Sequence, residues 1–291
     1  MARRDREQNR RSWNAATVAH NSHKGDQAAF LRRRGATTLF PEELELLGPL
    51  RGRRLLHLQC NAGQDTLSLA KRGARVTGVD LSDEAIDFAR ALARDSGISA
   101  TFVRADVYDY LATPGPRFDV VFSSYGVTGW LEDLSRWARG IARKLVPGGR
   151  FVCVDFHPAA WTFDERGRPA FPYSTHGRPM RGPGVSDYVA RSGDGLVPWG
   201  FEAGVRDFEN PHGAVEYAWG LAEIIQALLD AGLVIDRLEE YPYANGCAIY
   251  EGMRVQGRRR YPGPNHPQVP LMFAVRALQP ARARARRPRR G

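Results

Sequence analysis

Between residues 52 and 156 the chain alternates short apolar runs with longer amphipathic stretches, the pattern of strands and helices taking turns around a parallel sheet. Runs at 54–59, 75–80, 100–104, 118–123 and 151–156 predict five strands. Amphipathic stretches at 65–71, 82–94 and 131–145 predict the helices between them. The second of these opens on an N-cap serine, Ser82, followed by Asp83 and Glu84, and the third stops at Pro147-Gly148-Gly149. After Phe156 the alternation breaks. Residues 157–213 are crowded with Gly, Pro, Trp and Tyr, which suits neither a regular helix nor a central strand. The pattern then resumes with a helix at 219–230, a strand at 233–238 and, after a long loop, a last strand at 269–275. The expected fold is α/β: a doubly wound, mostly parallel seven-stranded sheet. Its expected parts are a helical cap over 1–51, a main domain over 52–280 with a lid inserted at about 157–213, and a disordered Arg-rich tail over 281–291.

Composition changes this picture little, whereas charge at first appears to change it. Of 291 residues, 43% are hydrophobic and 25% charged, as in ordinary globular proteins, and the formal net charge is +10. Residues 1–11 hold five Arg against Asp5 and Glu7, and 281–291 hold six Arg and no acid, which leaves the body near +1. The ends read as solvated tails, and a near-neutral body argues against nucleic acid as a partner. Three cysteines, Cys60, Cys153 and Cys247, are odd in number and far apart, unlike a disulfide framework or a zinc cluster. No window approaches the length of a membrane span. A cytoplasmic protein is expected, monomer or homodimer, with no metal.

Candidate chemistry sits where the predicted strands end. The loop after the first strand reads Gln59-Cys60-Asn61-Ala62-Gly63-Gln64-Asp65, and the second strand ends in Asp80, placed to accept hydrogen bonds from two ribose hydroxyls. The third strand leads into Asp106 and Val107, a polar and an apolar residue suited to an adenine edge and face. Each has a plainer reading: Gly63 as a turn, Asp80 as a cap of the next helix, Asp106 as a loop acid. Together they fit an adenosine-containing cofactor. Gly63 is the only glycine of the loop, which disfavours a pyrophosphate.

With these residues in place, the chain resembles the class I S-adenosylmethionine-dependent methyltransferases over roughly 52–156 and 219–276. It is most similar to a bacterial subgroup of small-molecule enzymes, through Trp13-Asn14-Ala15-Ala16-Thr17, His57-Leu58-Gln59-Cys60, Gly63-Gln64-Asp65-Thr66, Ser124-Tyr125-Gly126 and Phe156-His157-Pro158. The resemblance implies S-adenosylmethionine as cofactor and S-adenosylhomocysteine as product. It implies that Gln59, Cys60, Asn61, Gly63 and Asp65 wrap the methionine part, that Asp80 and Leu81 hold the ribose, and that Asp106 and Val107 meet the adenine. Ser123 to Tyr125 would lie along the cleft near the methionine end, and Trp13 and His20 of an N-terminal helix would complete the pocket. The chain departs from the general family in carrying His57 where an acid is usual, and Gln59 and Asn61 where glycines are usual.

Methyl transfer from a sulfonium is an in-line displacement that depends on holding the acceptor in place, and a hydroxyl acceptor also needs a base. His157 and Tyr125 are the candidates, His157 being the better base by its ordinary pKa; the plainer reading of His157 is a loop anchor. Trp130, Trp161, Tyr188, Trp199 and Trp219 could line an aromatic acceptor pocket, or form the insertion's own small core. The leading expectation is a small-molecule N- or O-methyltransferase, possible in bacterial secondary metabolism. Its alternatives are S-methylation of a small thiol, a protein or nucleic-acid methyltransferase, and a non-catalytic cofactor-binding protein.

Overall fold

The computed structural model describes residues 3–281. Three helices come first: α1 (Arg3–Ser22), α2 (Gln27–Arg32) and α3 (Pro41–Leu47). The alternating core follows as β1 (Arg54–Leu58), α4 (Gln64–Lys71), β2 (Arg75–Asp80), α5 (Asp83–Ser96), β3 (Thr101–Arg104), α6 (Val107–Ala112), β4 (Phe118–Ser124), α7 (Leu134–Lys144) and β5 (Leu145–Phe156). Beyond it run β6 (Met180–Gly182), α8 (Tyr188–Ser192), β7 (Ala214–Glu216), α9 (Leu221–Asp230), β8 (Val234–Tyr241), β9 (Ala244–Asn245), β10 (Arg254–Gln256), β11 (Arg259–Tyr261) and β12 (Met272–Leu278).

The main sheet has seven strands in the order β3-β2-β1-β4-β5-β12-β8. All neighbours from β3 to β5 are parallel, and β12 runs antiparallel to both β5 and β8. The central strands are apolar at successive positions because both faces are covered. Leu55, Val120 and Val152 face a layer with Leu46, Leu47 and Leu69, while Leu56, Val121 and Phe151 face Trp137, Ile141 and Leu228 on the other side. The long loop before the last strand is partly structured, since β10, β11 and β9 make a small antiparallel sheet. Within 157–213 regular structure is limited to short pieces, and β6 pairs with β7 just beyond it.

The basic N-terminus corrects one expectation. From Arg3 onward it is helix α1, not a solvated tail, because its charges are paired along the helix and across to the core. Arg10 and Arg11 bind Glu7 at 2.7 and 2.8 Å, Arg10 also meets Asp83, and Arg6 lies 3.5 Å from Asp106. The tail over 281–291 lies, but for its first residue, outside the described residues. Among the described residues no helix is long and apolar enough to cross a membrane.

Candidate active site

Strand order reverses between β1 and β4, so the loops after these strands diverge and leave a crevice at their carboxyl ends. The loop after β1 holds Gln59, Asn61 and Gly63 at φ 53°, 47° and 80°. For the two non-glycine residues this left-handed backbone costs on the order of 1 kcal/mol each. Fixed bonds compensate. Gln59 Nε2 donates to the Val127 carbonyl at 3.1 Å, the Asn61 N–H donates to Asp80 Oδ2 at 2.8 Å, and the Ala62 N–H donates to Asn61 Oδ1 at 2.6 Å. Gly63 is required by packing as well as by φ, since a Cβ there would stand 2.7 Å from the Ala89 Cβ and 2.9 Å from the Phe102 ring. Cys60 fills the space left by Gly78, where a Cβ would come within 2.8 Å of its sulfur. Burial pushes the Cys60 thiol well up, so it is a filler and not a nucleophile.

Asp80 closes β2 beneath this loop. Each carboxylate oxygen accepts one backbone N–H, Oδ2 from Asn61 and Oδ1 from Ser82 at 2.9 Å, and keeps lone pairs for further donors. Burial raises its pKa, while the amides of Ser82, Asn61 and Leu81 oppose that rise. Asp106 caps α6, its Oδ1 accepting the Tyr108 and Asp109 N–H groups at 2.9 and 3.3 Å, with Val107 opening the helix beside it. The cap occupies one oxygen and leaves the other for a ligand. Asp65, in the first turn of α4, receives the Thr38 hydroxyl.

Several buried polar atoms around the crevice have no hydrogen-bond partner among the described residues: Gln59 Oε1, Ser123 Oγ, Thr17 Oγ1 and His20 Nδ1. Trp13, Thr17 and His20 recur at helical spacing on one face of α1. The Trp13 ring lies 5.3 Å from Trp130, and the His20 ring lies 4.2 Å from Tyr188. Tyr188 also feels the charge of Asp80. The structure thus brings Trp13, His20, Trp130 and Tyr188 together along one face of α1. Unpaired donors and acceptors beside a carboxylate and aromatic faces suit a nucleoside that carries an amino-acid arm. The residues therefore fit S-adenosylmethionine.

The other aromatics are dispersed. Trp199 packs 5.1 Å from Phe30. Trp161 is 45% exposed and stands edge-on to Phe156. Trp219 donates its Nε1–H to the Leu131 carbonyl at 2.7 Å and borders a separate cavity of about 460 Å³ with His176 and Glu223. Neither Trp161 nor Trp219 stands beside the cofactor loop's partners named above.

The structure gives His157 an anchoring role. Its Nδ1 accepts the Ala159 N–H at 3.0 Å, so Nε2 carries the proton and donates to Glu240 at 2.8 Å. Both nitrogens are engaged, and burial pulls its pKa down despite Glu240. His157→Ala is expected to lower stability by about 1–3 kcal/mol in urea unfolding and to leave S-adenosylhomocysteine affinity unchanged. Loss of that affinity would return His157 to the cleft. Tyr125, at φ 50°, packs between Phe40 and Phe156 with its hydroxyl 3.0 Å from Asn245 Nδ2, and burial pushes its pKa well up.

His57 lies 2.8 Å from the Thr66 hydroxyl, and burial takes its pKa from 6.5 to about 4. The unfolded chain therefore takes up the proton first as pH falls. Stability present above pH 6.5 is lost progressively toward pH 4, about 3 kcal/mol in all. Relative to wild type, His57→Gln should gain that amount between pH 7 and pH 4 in urea titrations; a constant difference would contradict a depressed His57.

Sequence reasoning missed Glu43, Asp155, Asn245 and Arg258, all buried or half-buried beside this crevice. Asp155 ends β5 as the hub for the loop after β4. Its carboxylate accepts the N–H groups of Gly126, Val127, Thr128 and Phe156 and the Thr128 hydroxyl, at 2.5–3.1 Å.

Comparison with known proteins agrees with this geometry. Residues 56–153 match the model of a family described as a methyltransferase domain. A ubiquinone biosynthesis O-methyltransferase of Alkalilimnicola ehrlichii is 31% identical over 121 residues, which are 41% of this chain and 49% of that protein. An uncharacterized methyltransferase of Synechocystis is 35% identical over 122 residues, 41% of this chain and 55% of that one. The chain thus spans about half the length of the curated relatives it matches. Among solved structures, an S-adenosylmethionine dependent methyltransferase of Mesorhizobium loti superposes with a TM-score of 0.54 at 24% identity, covering 83% of this chain and 98% of that one. Another, from Clostridium acetobutylicum, gives 0.51 at 14% identity, covering 78% and 84%. Residues 56–153 are thus similar to a methyltransferase domain, and the fold is shared with solved S-adenosylmethionine dependent methyltransferases.

Proposed function

We propose that the protein transfers a methyl group from S-adenosylmethionine to nitrogen or oxygen of a small-molecule acceptor. The observation that carries this reading is the arrangement around Asp80: a buried carboxylate with lone pairs to spare, under a left-handed loop and beside buried polar atoms that lack hydrogen-bond partners among the described residues. S-adenosylmethionine supplies an electrophilic methyl group on a sulfonium. Asp80 accepts the ribose hydroxyls, and Asp106 with Val107 meets the adenine next to Trp13 and Trp130. Gln59 Oε1 and Ser123 Oγ are acceptors for the methionine ammonium. Lys24, half-buried and with its pKa drawn down to about 8 by desolvation, is a cation for the methionine carboxylate.

Residues 157–213 serve as the lid on the acceptor side. In support, the Ser186 carbonyl accepts the His20 Nε2–H at 2.9 Å, the Val185 N–H donates to the Ser12 hydroxyl at 2.9 Å, and Asp187 meets His23 at 2.8 Å, all fastening the segment to α1 and the residue that follows it. A small acceptor is supported by the ubiquinone biosynthesis O-methyltransferase relatives, which match over 121 residues in the first case. Calorimetric titration with S-adenosylmethionine and S-adenosylhomocysteine tests the reading. Binding of both is expected, and no heat at millimolar ligand would overturn it.

A further inference from the structure

Glu43, the third residue of α3, is fully buried. Its Oε2 accepts the Phe40 N–H at 2.6 Å, which is an ordinary helix-start bond. Its Oε1 has no partner among the described residues. A buried carboxyl oxygen left unpaired costs free energy that a structural cap has no need to incur.

Around that oxygen gather polar groups from α4, the loop after β4 and the segment before β12. Glu43 exerts the strongest charge effect on Tyr125, and Asp65 of the α4 first turn acts on both. Tyr125 OH accepts from Asn245 Nδ2, so its own proton is directed elsewhere, and Asn245 Oδ1 is a second buried acceptor without a partner. Arg258 lies over the Phe40 ring at 4.0 Å, donates to the Thr38 carbonyl at 2.9 Å and brings its positive charge to bear on Glu43 and Tyr125. Thr38 in turn binds Asp65, which ties the group to the helix that follows the cofactor loop. The neighbouring Glu42 accepts from Tyr243 and Arg259 through Oε1, and its Oε2 accepts from Asn245 Nδ2 at 3.4 Å. Two unpaired acceptor oxygens call for a ligand that donates hydrogen bonds, and a guanidinium beside them favours that ligand's anionic form.

We propose that Glu43 is the proton acceptor for a hydroxyl nucleophile, and that Glu43, Tyr125 and Asn245 form the subsite for the O–H group of an alcohol or phenol. This rests on the methyltransferase reading above and narrows it to oxygen. The acceptor oxygen bonds to the methyl carbon as the carbon–sulfur bond breaks, and that bond's electron pair stays on sulfur, cancelling its positive charge. The hydroxyl proton passes to Glu43 Oε1 and leaves to water when the product departs. Burial holds the Glu43 carboxyl well above its ordinary range, toward the pH at which a base works best, while Asp65 and Glu42 add to that rise and Arg258 opposes it.

The test compares wild type with E43Q, which keeps an oxygen for the Phe40 N–H, and with Y125F. Calorimetry with S-adenosylhomocysteine should give equal affinity for all three. Transfer of labelled methyl to a panel of phenols, aliphatic alcohols, amines and thiols should favour hydroxyl acceptors and rise with pH in wild type. In E43Q the rate should fall by about 10²- to 10⁴-fold and lose that rise. An infrared difference spectrum between wild type and E43Q should show the carbonyl band of a protonated buried carboxyl at low pH, lost as pH rises. Failure of S-adenosylhomocysteine to bind wild type would sink the methyltransferase reading itself. Normal binding with transfer only to amines or thiols, with no transfer, or with E43Q as fast as wild type would overturn the role of Glu43 alone.

Discussion

Asp80→Ala is expected to weaken S-adenosylhomocysteine binding by about two to four orders of magnitude in calorimetry. The figure follows from two hydrogen bonds to a charged acceptor, about 1.5–3 kcal/mol each, against about 1.4 kcal/mol per factor of ten. The loss has a second source. Asp80 Oδ2 holds the Asn61 N–H, so its removal also frees a loop residue that the backbone would not otherwise keep at φ 47°. Asp80→Asn separates the two sources, because its amide keeps one acceptor for one of the two loop amides and loses the charge. An intermediate affinity is expected for it, and wild-type affinity in Asp80→Ala would place the ribose elsewhere.

The largest stability loss is expected from Asp155→Ala. This carboxylate is buried, and its removal leaves four backbone N–H groups and the Thr128 hydroxyl without an acceptor. Breaking a buried charged network of this kind costs about 3–5 kcal/mol, a large share of the stability of an ordinary domain. Urea unfolding checks the magnitude. The loop that Asp155 gathers also contains Val127, whose carbonyl holds Gln59, and follows Tyr125. In whatever fraction remains folded, cofactor affinity should therefore fall as well; a variant as stable as wild type would show that water or a rearranged loop replaces the carboxylate.

The sheet was legible where both of its faces are covered, because continuous apolar runs leave little choice of element. The strand expected at 75–80 matches β2 residue for residue, and that at 54–59 ends one residue beyond β1. Helix starts were harder. The helix expected from 131 begins at Leu134, because Asp133 caps it by accepting the Arg136 N–H, and Thr128–Trp130 form a separate short turn. At the site, Asp80 and Asp106 stood out because position relative to a strand end carries their meaning. Glu43 did not, since acids after Pro41 read simply as the favourable start of a helix. Asn245 and Arg258 come from the long segment before β12, 120 and 220 residues from Tyr125 and Thr38, and only the folded chain brings them together. His157 followed its plainer reading because two hydrogen-bond partners close in space, Ala159 and Glu240, cannot be inferred from its place after β5.

The loop after β1 has a thermodynamic consequence. Glycines in the places of Gln59 and Asn61 would adopt the left-handed backbone at no steric cost, but they would also sample many other shapes before a ligand arrived. Here the side chains of both residues are already bonded, to Val127 and Ala62. The ordering is complete in the free protein, so the entropy that a bare glycine loop surrenders on binding is surrendered on folding instead. Cofactor association should accordingly show a smaller entropic penalty than in Gln59→Gly or Asn61→Gly, even where the overall affinities are alike.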